Sequence, residues 1–357
     1  MPAGGCANAA QSLPCVFRSE CVVYLSSTPD LLTLQGNIML TKNAILIGAL
    51  VAISGLFSVA AAQESVIKIG AAQTSAASLP IIVADQEGLL KAEGLSYQRF
   101  DFKGGGPAIQ ALASGSVDAC ICAVEHAVRL QERGLGGKVL VSLADRHSYA
   151  LLAGADLSAT RLADLKGQKI GITSAGSLTD TTVRYAIRKI GLDPDKDFSL
   201  IAVGRAGAQR AAIQAGAISA GMFTTPDIQI TLADSGKFKI LEDYRTLAYP
   251  SQGLIVTDGW LEKNPQRAAA LSRAITKALA MIHQDPLVLT KALKEMFPEV
   301  KDDALIRQII TDVTSGYLST DGVLSPESYA TLGEIVRTVT PNENVSSYRD
   351  ITINTHH

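Results

Sequence analysis

The sequence predicts an α/β protein of two lobes, each a parallel sheet with helices on both faces, joined by a hinge. Three observations predict it. Short apolar segments alternate with helical ones from residue 66 to residue 224. Two separate blocks of that stretch recur at one offset of 101 residues. Beyond residue 247 the alternation gives way to helices alone. Strand–helix alternation builds parallel sheets covered on both sides, and a doubled unit builds two of them.

In the first unit, strand 66–72 leads to a helix near 79–92, closed by Gly94. Strand 95–102, a Gly104-Gly105-Gly106 turn, helix 107–114 and strand 117–124 follow. The second unit reads as strand 168–173, helix 178–190 closed by Gly191, strand 198–203, helix 207–215 and strand 218–224. Lys68-Ile69-Gly70 returns as Lys169-Ile170-Gly171, and Gly106, Ala111, Gly115 and Ala119 return as Gly207, Ala212, Gly216 and Ala220.

Asn264-Pro265 is a helix start, with Asn as N-cap and Pro at the first helical position. That helix runs to about Gln284, and others run near 287–296, 302–316 and 326–338. They have no counterpart in the second unit and are expected to pack back on the first. The chain then crosses between lobes near 146–154 and near 244–252. The expected lobes are 63–149 with 249–357, and 150–248.

The segment before residue 63 is not expected to belong to the fold. Residues 1–38 show no period and hold Cys6, Cys15 and Cys21. Lys42, the uncharged run from Ala44 to Val59, and Ala60-Ala61-Ala62 have the layout of a cleaved secretory signal over 39–62, too short for a membrane span. Removing residues 1–62 from 357 leaves 295. This remainder keeps the whole formal charge of −2, because Arg18 and Lys42 balance Glu20 and Asp30. Export to the periplasm is the expectation. Cys120 and Cys122, two apart on one strand, are expected to be buried small residues poorly placed to bond to each other.

An apolar share of 47% excludes wholesale disorder. With 32 Lys+Arg against 34 Asp+Glu and 5% aromatics, the chain lacks the basic, ring-bearing face of a nucleic-acid binder. Gly-x-Ser-x-Gly, His-Glu-x-x-His and metal-spaced Cys/His sets are absent, so no catalytic residue, metal or cofactor is expected.

In open parallel sheets, ligands bind beyond the carboxyl ends of the strands, where helix N-termini point. Gln73, Thr74, Ser75 and Ser78 follow the first strand, and Gly105 opens the next helix. Glu125 lies at a strand end, either bonding a ligand or standing solvated on the rim. Ser177 and Thr179 offer hydroxyls to a ligand or merely cap a helix. Thr225 ends the last strand of the second unit. Arg146, at the first crossing, pairs with a ligand oxyanion or forms a hinge salt bridge. Such a set suits a small anionic or strongly polar ligand held by donors and helix dipoles.

With these residues placed, the chain resembles the bacterial solute-binding proteins of ABC importers, in the nitrate/sulfonate/taurine group that includes thiamine-precursor binders. The resemblance rests on Leu79-Pro80, Gly88, Glu93-Gly94-Leu95, Gly104 to Asp118, Asp164-Leu165-Lys166-Gly167, Ile170-Gly171, Gly176-Ser177 and Gly191-Leu192-Asp193-Pro194. It implies a type II periplasmic-binding fold that closes on a small-molecule ligand and presents it, as a monomer, to an ABC permease. Carried over by position, its cleft takes in Gln73, Thr74, Ser75, Ser78, Gly105, Glu125, Ser177, Thr179 and Thr225. A small organic sulfonate, taurine or carboxylate is the leading ligand class, and a pyrimidine thiamine precursor the alternative. Some relatives of the fold synthesise that pyrimidine with a pyridoxal-linked Lys and iron-binding His residues near a Cys-rich motif. Cys120 and Cys122 alone resemble that motif.

Overall fold

A computed structural model describes residues 65–353 apart from Ser235. The expected extension over 1–38 and signal over 39–62 lie outside the described residues.

The first sheet holds β1 (Ser65–Ala71), β2 (Leu95–Asp101), β3 (Ala119–Cys122), β4 (Gly137–Arg146) and, from much later in the chain, β10 (Ala248–Thr257). The second holds β5 (Tyr149–Gly154), β6 (Lys169–Ile172), β7 (Ser199–Ala202), β8 (Ala220–Thr224) and β9 (Phe238–Asp243). Their strand orders are β2-β1-β3-β10-β4 and β7-β6-β8-β5-β9. The two orders match position for position, and in each the fourth strand runs antiparallel to both neighbours. The sheets are therefore mostly parallel, not wholly so. Periodicity does not reveal this, because a buried strand looks equally apolar whichever way it runs.

The sequence repeat survives as geometry. Helix α3 (Gly105–Ala113) and helix α6 (Ala206–Gln214) begin 101 residues apart, as do β3 and β8, and β4 and β9. The repeated Lys-Ile-Gly ends in glycine because the chain passes close by in both lobes. A β-carbon on Gly70 would lie 3.1 Å from the Phe102 ring, and one on Gly171 would lie 2.6 Å from Ile218.

Elsewhere the boundaries move for local reasons. The helix expected over 79–92 divides into α1 (Leu79–Gln86) and α2 (Leu89–Ala92) around Gly88, whose φ is +69°. The three-glycine turn shrinks to Gly104 (φ +131°), and Gly105 and Gly106 already belong to α3. The crossings are short. They span the link from Arg146 to Tyr149 and the link from Asp243 to Ala248. The two links pair with each other, His147 N donating to Leu247 O and Tyr244 N to Tyr149 O.

The remaining helices are α4 (Glu125–Glu132), α5 (Leu178–Lys189), α7 (Asp227–Leu232), α8 (Asp258–Lys263), α9 (Pro265–Gln284), α10 (Pro286–Met296), α11 (Asp303–Asp312), α12 (Pro326–Val339) and α13 (Tyr348–Ile351). In α9, Leu271, Ile275, Leu279 and Ile282 recur at helical spacing and are 0–1% exposed against the first sheet's α1 side. Each such side chain contributes about 2 kcal/mol through burial. Helix α12 differs. It packs on β10, but its far face meets α5 of the other lobe, where Arg188 Nη1 donates to Thr338 O (2.7 Å) and Tyr185 Oη to Glu334 (3.1 Å).

Cys120 and Cys122 correct an expectation. Both are 0% exposed on β3, and the structure joins them as a disulfide. Alternate residues of a strand share a face, and the Cα separation of 5.5 Å lies inside the range a disulfide spans. Among the described residues no helix is long and apolar enough to cross a membrane.

Candidate functional site

The carboxyl ends of the two sheets face each other, and the lobes meet there in a closed seam. Ala76 N donates to Thr225 O (3.0 Å), joining the turn after β1 to the turn after β8. Arg205, the N-cap of α6, donates to Thr74 Oγ1 (2.9 Å). Gln73 Nε2 donates to Tyr149 Oη (2.5 Å) across the first crossing. A β-carbon on Gly104 would overlap the Ser174 side chain. Glycine there lets two strand-end turns from different lobes touch.

Glu125 organises the seam. It is 0% exposed and accepts from Tyr249 Oη (2.9 Å), Thr181 Oγ1 (3.1 Å) and Arg129 Nη1 (3.1 Å). Arg129, one turn along α4, also donates to Gly176 O (2.6 Å) and Thr181 Oγ1 (3.2 Å) and pairs with Glu343 (3.3 Å). Burial works against the guanidinium charge, yet Glu125 and Glu343 outweigh it and raise the Arg129 pKa. Burial and the Glu125 carboxylate raise the Tyr249 phenol well above its ordinary value, so its proton stays on the bond. A buried charge pair needs its remaining lone pairs filled, and here two lobes fill them together.

The expected site residues separate into groups. Gln73, Thr74, Glu125 and Thr225 meet at the seam. Ser75 is buried and caps the short 3-10 turn with its backbone, and the Ser78 hydroxyl is buried without a partner. Gly105 lies against His126, whose ring a β-carbon would strike. Ser177 and Thr179 are buried and turn inward: Thr173 Oγ1 donates to Ser177 Oγ (2.9 Å), Ser177 Oγ to Ser174 O (2.7 Å) and Thr173 N to Thr179 Oγ1 (2.9 Å). Arg146 stands apart at the hinge. It is exposed, donates to Thr246 O (3.2 Å) and borders a cavity of about 230 Å³ with Asp243, Arg245 and Asp312.

A larger cavity of about 510 Å³ opens between the lobes on the side of β2 and β7. Thr74 and Lys103 line it from one lobe, and Gly204 to Ala208, Arg210 and Asp227 from the other; Met296, Phe297 and Glu299 close its end. The volume is that of a small-molecule site. Lys103, Arg205 and Arg210 bring cationic groups to it, and α6 points its N-terminus in the same direction, favouring an anion. Burial pushes the Asp227 carboxyl up to about 7 against the pull of Arg210 and Arg205. That side chain can therefore donate a hydrogen bond near neutral pH.

The sequence reading missed Arg129, Arg205 and Arg210. Arg129 and Arg210 are ordinary helix residues in the sequence and Arg205 precedes a helix; only the docking of two lobes turns them toward the cleft. The repeat could have found Arg205, because it sits at the α6 entrance, 101 residues after Gly104 at the α3 entrance. At the hinge, His147 is ringed by Tyr249 (5.3 Å between ring centres), Tyr244 (5.7 Å) and Tyr149 (5.9 Å). Burial pushes its imidazole down to about 3.

The model of the family described as NMT1/THI5 like matches residues 75–287. YtlA of Bacillus subtilis (strain 168) is 23% identical over 296 residues, covering 79% of this chain and 86% of its own length. The 4-amino-5-hydroxymethyl-2-methylpyrimidine phosphate synthase THI5 of Saccharomyces cerevisiae (strain ATCC 204508 / S288c) is 24% identical over 244 residues, covering 64% of this chain and 70% of its own length. Among solved structures, the periplasmic aliphatic sulphonate binding protein SsuA from Escherichia coli superposes with a TM-score of 0.62 at 19% identity, covering 80% of this chain and 96% of that one. The fold is accordingly that of the periplasmic binding proteins of ABC importers.

Proposed function

We propose that this chain, which belongs to the NMT1/THI5-like family, is a solute-binding protein that closes its lobes on a small polar or anionic organic ligand. The ligand is of the sulfonate, taurine or carboxylate class, and the closed form delivers it to an ABC permease. The protein works as a monomer in the periplasm, exported by the signal expected before Gln63. The observation that carries this reading is the 510 Å³ interlobe cavity, to which Lys103 comes from one lobe and Arg205 and Arg210 from the other. Charges drawn from both lobes favour closure only when an anion lies between them, which is how a ligand shifts an open–closed equilibrium. In this reading Thr74, which lines that cavity, acts with Gln73, Ser75, Ser78, Gly105, Glu125, Ser177, Thr179 and Thr225 in holding the closed cleft, and Arg146 serves the hinge.

Binding of a pyrimidine thiamine precursor is the second reading. What favours it is the ring cluster of His147, Tyr149, Tyr244 and Tyr249, of which His147 borders the 230 Å³ hinge cavity. A synthase reaction of the kind named for THI5 gains less support. Among the described residues no three His, Cys, Asp or Glu side chains converge as a metal site, so the donor set does not fit an iron centre.

Thermal-shift screening with sulfonates, carboxylates and pyrimidines tests the choice. A sulfonate or carboxylate is expected to raise Tm, and Arg205→Ala to remove most of the rise. Stabilisation by pyrimidines alone would support the second reading instead.

A further inference from the structure

A second interlobe cavity, of about 180 Å³, lies where α3 and α4 face the turn that follows β6. His126 lines it together with Arg129, Arg133, Gly106, Ala175 and Gly176. The ring is 1% exposed, yet neither Nδ1 nor Nε2 has a partner, although a buried polar group is normally bonded. Ser174 Oγ, which a β-carbon on Gly106 would meet at 3.4 Å, is also buried without a partner. Helix α3 starts beside both groups with no side-chain cap, leaving the amides of Gly105 and Gly106 as donors at the positive end of its dipole. Gly105 is glycine where any β-carbon would displace the His126 ring from this position. Burial, with Arg129 and Arg133 nearby, pushes the imidazole down to about 3, so at neutral pH it presents one N–H.

We propose that this chamber is a second ligand site that binds a free inorganic oxyanion of the sulfate or phosphate type. The N–H of His126 and the amide of Gly106, both lining the chamber, donate to its oxygens. Arg133, exposed at the rim, supplies the charge that Arg129 has already given to Glu125 and Glu343. Because Ala175 and Gly176 come from the second lobe, the chamber is complete only when the lobes are closed, so the oxyanion stabilises closure. The proposal is independent of the ligand assigned to the larger cavity.

Sulfate titrated into the protein at constant ionic strength, against chloride, tests it. A saturable rise in Tm is expected, together with a saturable shift of the His126 imidazole resonances in NMR spectra at the same midpoint. Arg133→Ala, an exposed substitution that spares the core, should weaken the midpoint about tenfold, the effect of losing one charged hydrogen bond. Arg205→Ala, which removes a bond across the seam, should still show a saturable shift of the His126 resonances. The proposal is overturned if sulfate gives no saturable shift, or if Arg205→Ala abolishes the effect while Arg133→Ala preserves it, since the oxyanion would then lie in the larger cavity.

Discussion

Glu125 is the residue on which the closed seam depends most heavily. Its carboxylate is fully buried and takes bonds from an arginine, a tyrosine and a threonine of the opposite lobe. Glu125→Ala leaves a buried guanidinium short of one counter-charge and a buried phenol without an acceptor. A loss of about 3–5 kcal/mol is expected, read from the urea midpoint. Tyr249→Phe removes a single bond to a charged group and should cost about 2 kcal/mol in the same assay. Gly105→Val tests the tight approach to His126. Its branched side chain must displace the ring, at a cost of about 1–3 kcal/mol, and equal stability of the variant would contradict the packing described. Glu125 was legible as a strand-end residue, but its partners were not. Arg129 lies four residues away, whereas Thr181 and Tyr249 lie 56 and 124 away, and only the fold joins them.

Among the elements, α12 ties the lobes outside the cleft, as does α11, whose Asp312 accepts from Gln229 Nε2 of the other lobe (2.5 Å). The α12 bonds to Arg188 and Tyr185 of α5 hold only while the lobes remain together. Arg188→Ala with Glu334→Ala should therefore shift the unliganded protein toward the open form and weaken ligand binding several-fold without lowering Tm much, since the positions are partly exposed. An unchanged Kd by calorimetry would remove α12 from the closing mechanism. At this scale the sequence was readable where local rules act. The repeat positions α3 and α6, β3 and β8 at one spacing because both lobes need a glycine at the same close approach. Strand direction was not readable, because β5 and β10 complete the opposite half of the repeat by crossing over. The Cys120–Cys122 link escaped for a similar reason, as strand geometry permits the contact without announcing it.

For the molecule as a whole, the buried His126 and His147 and the half-buried Asp227 contribute the largest shifts to the acid response. The His126 and His147 imidazoles titrate near 3 when folded and near 6.5 when unfolded. The unfolded chain thus binds the extra protons, and their contribution, complete above the unfolded value, is lost as pH falls from about 6.5 toward 3. At pH 5 that loss is about 2 kcal/mol for each. Asp227 opposes them between about 4 and 7, because it holds its proton only when folded. From these three groups the folded protein binds about one proton fewer than the unfolded chain, and the urea midpoint should fall from pH 6 to pH 4. Asp227→Asn removes the opposing group and should steepen the fall; a shallower fall in that variant would contradict a raised Asp227 carboxyl. Near-neutral composition hid the cleft's charge. A total of −2 says nothing about three cations gathered at one cavity, since sums over a chain carry no position. In the proposed function the two lobes close on a small anion held between Lys103, Arg205 and Arg210. Small-angle X-ray scattering with and without the stabilising sulfonate or carboxylate tests it most directly. A smaller radius of gyration is expected on ligand addition in the natural protein and no change in Arg205→Ala; an unchanged radius in the natural protein at saturating ligand would rule out closure on that anion.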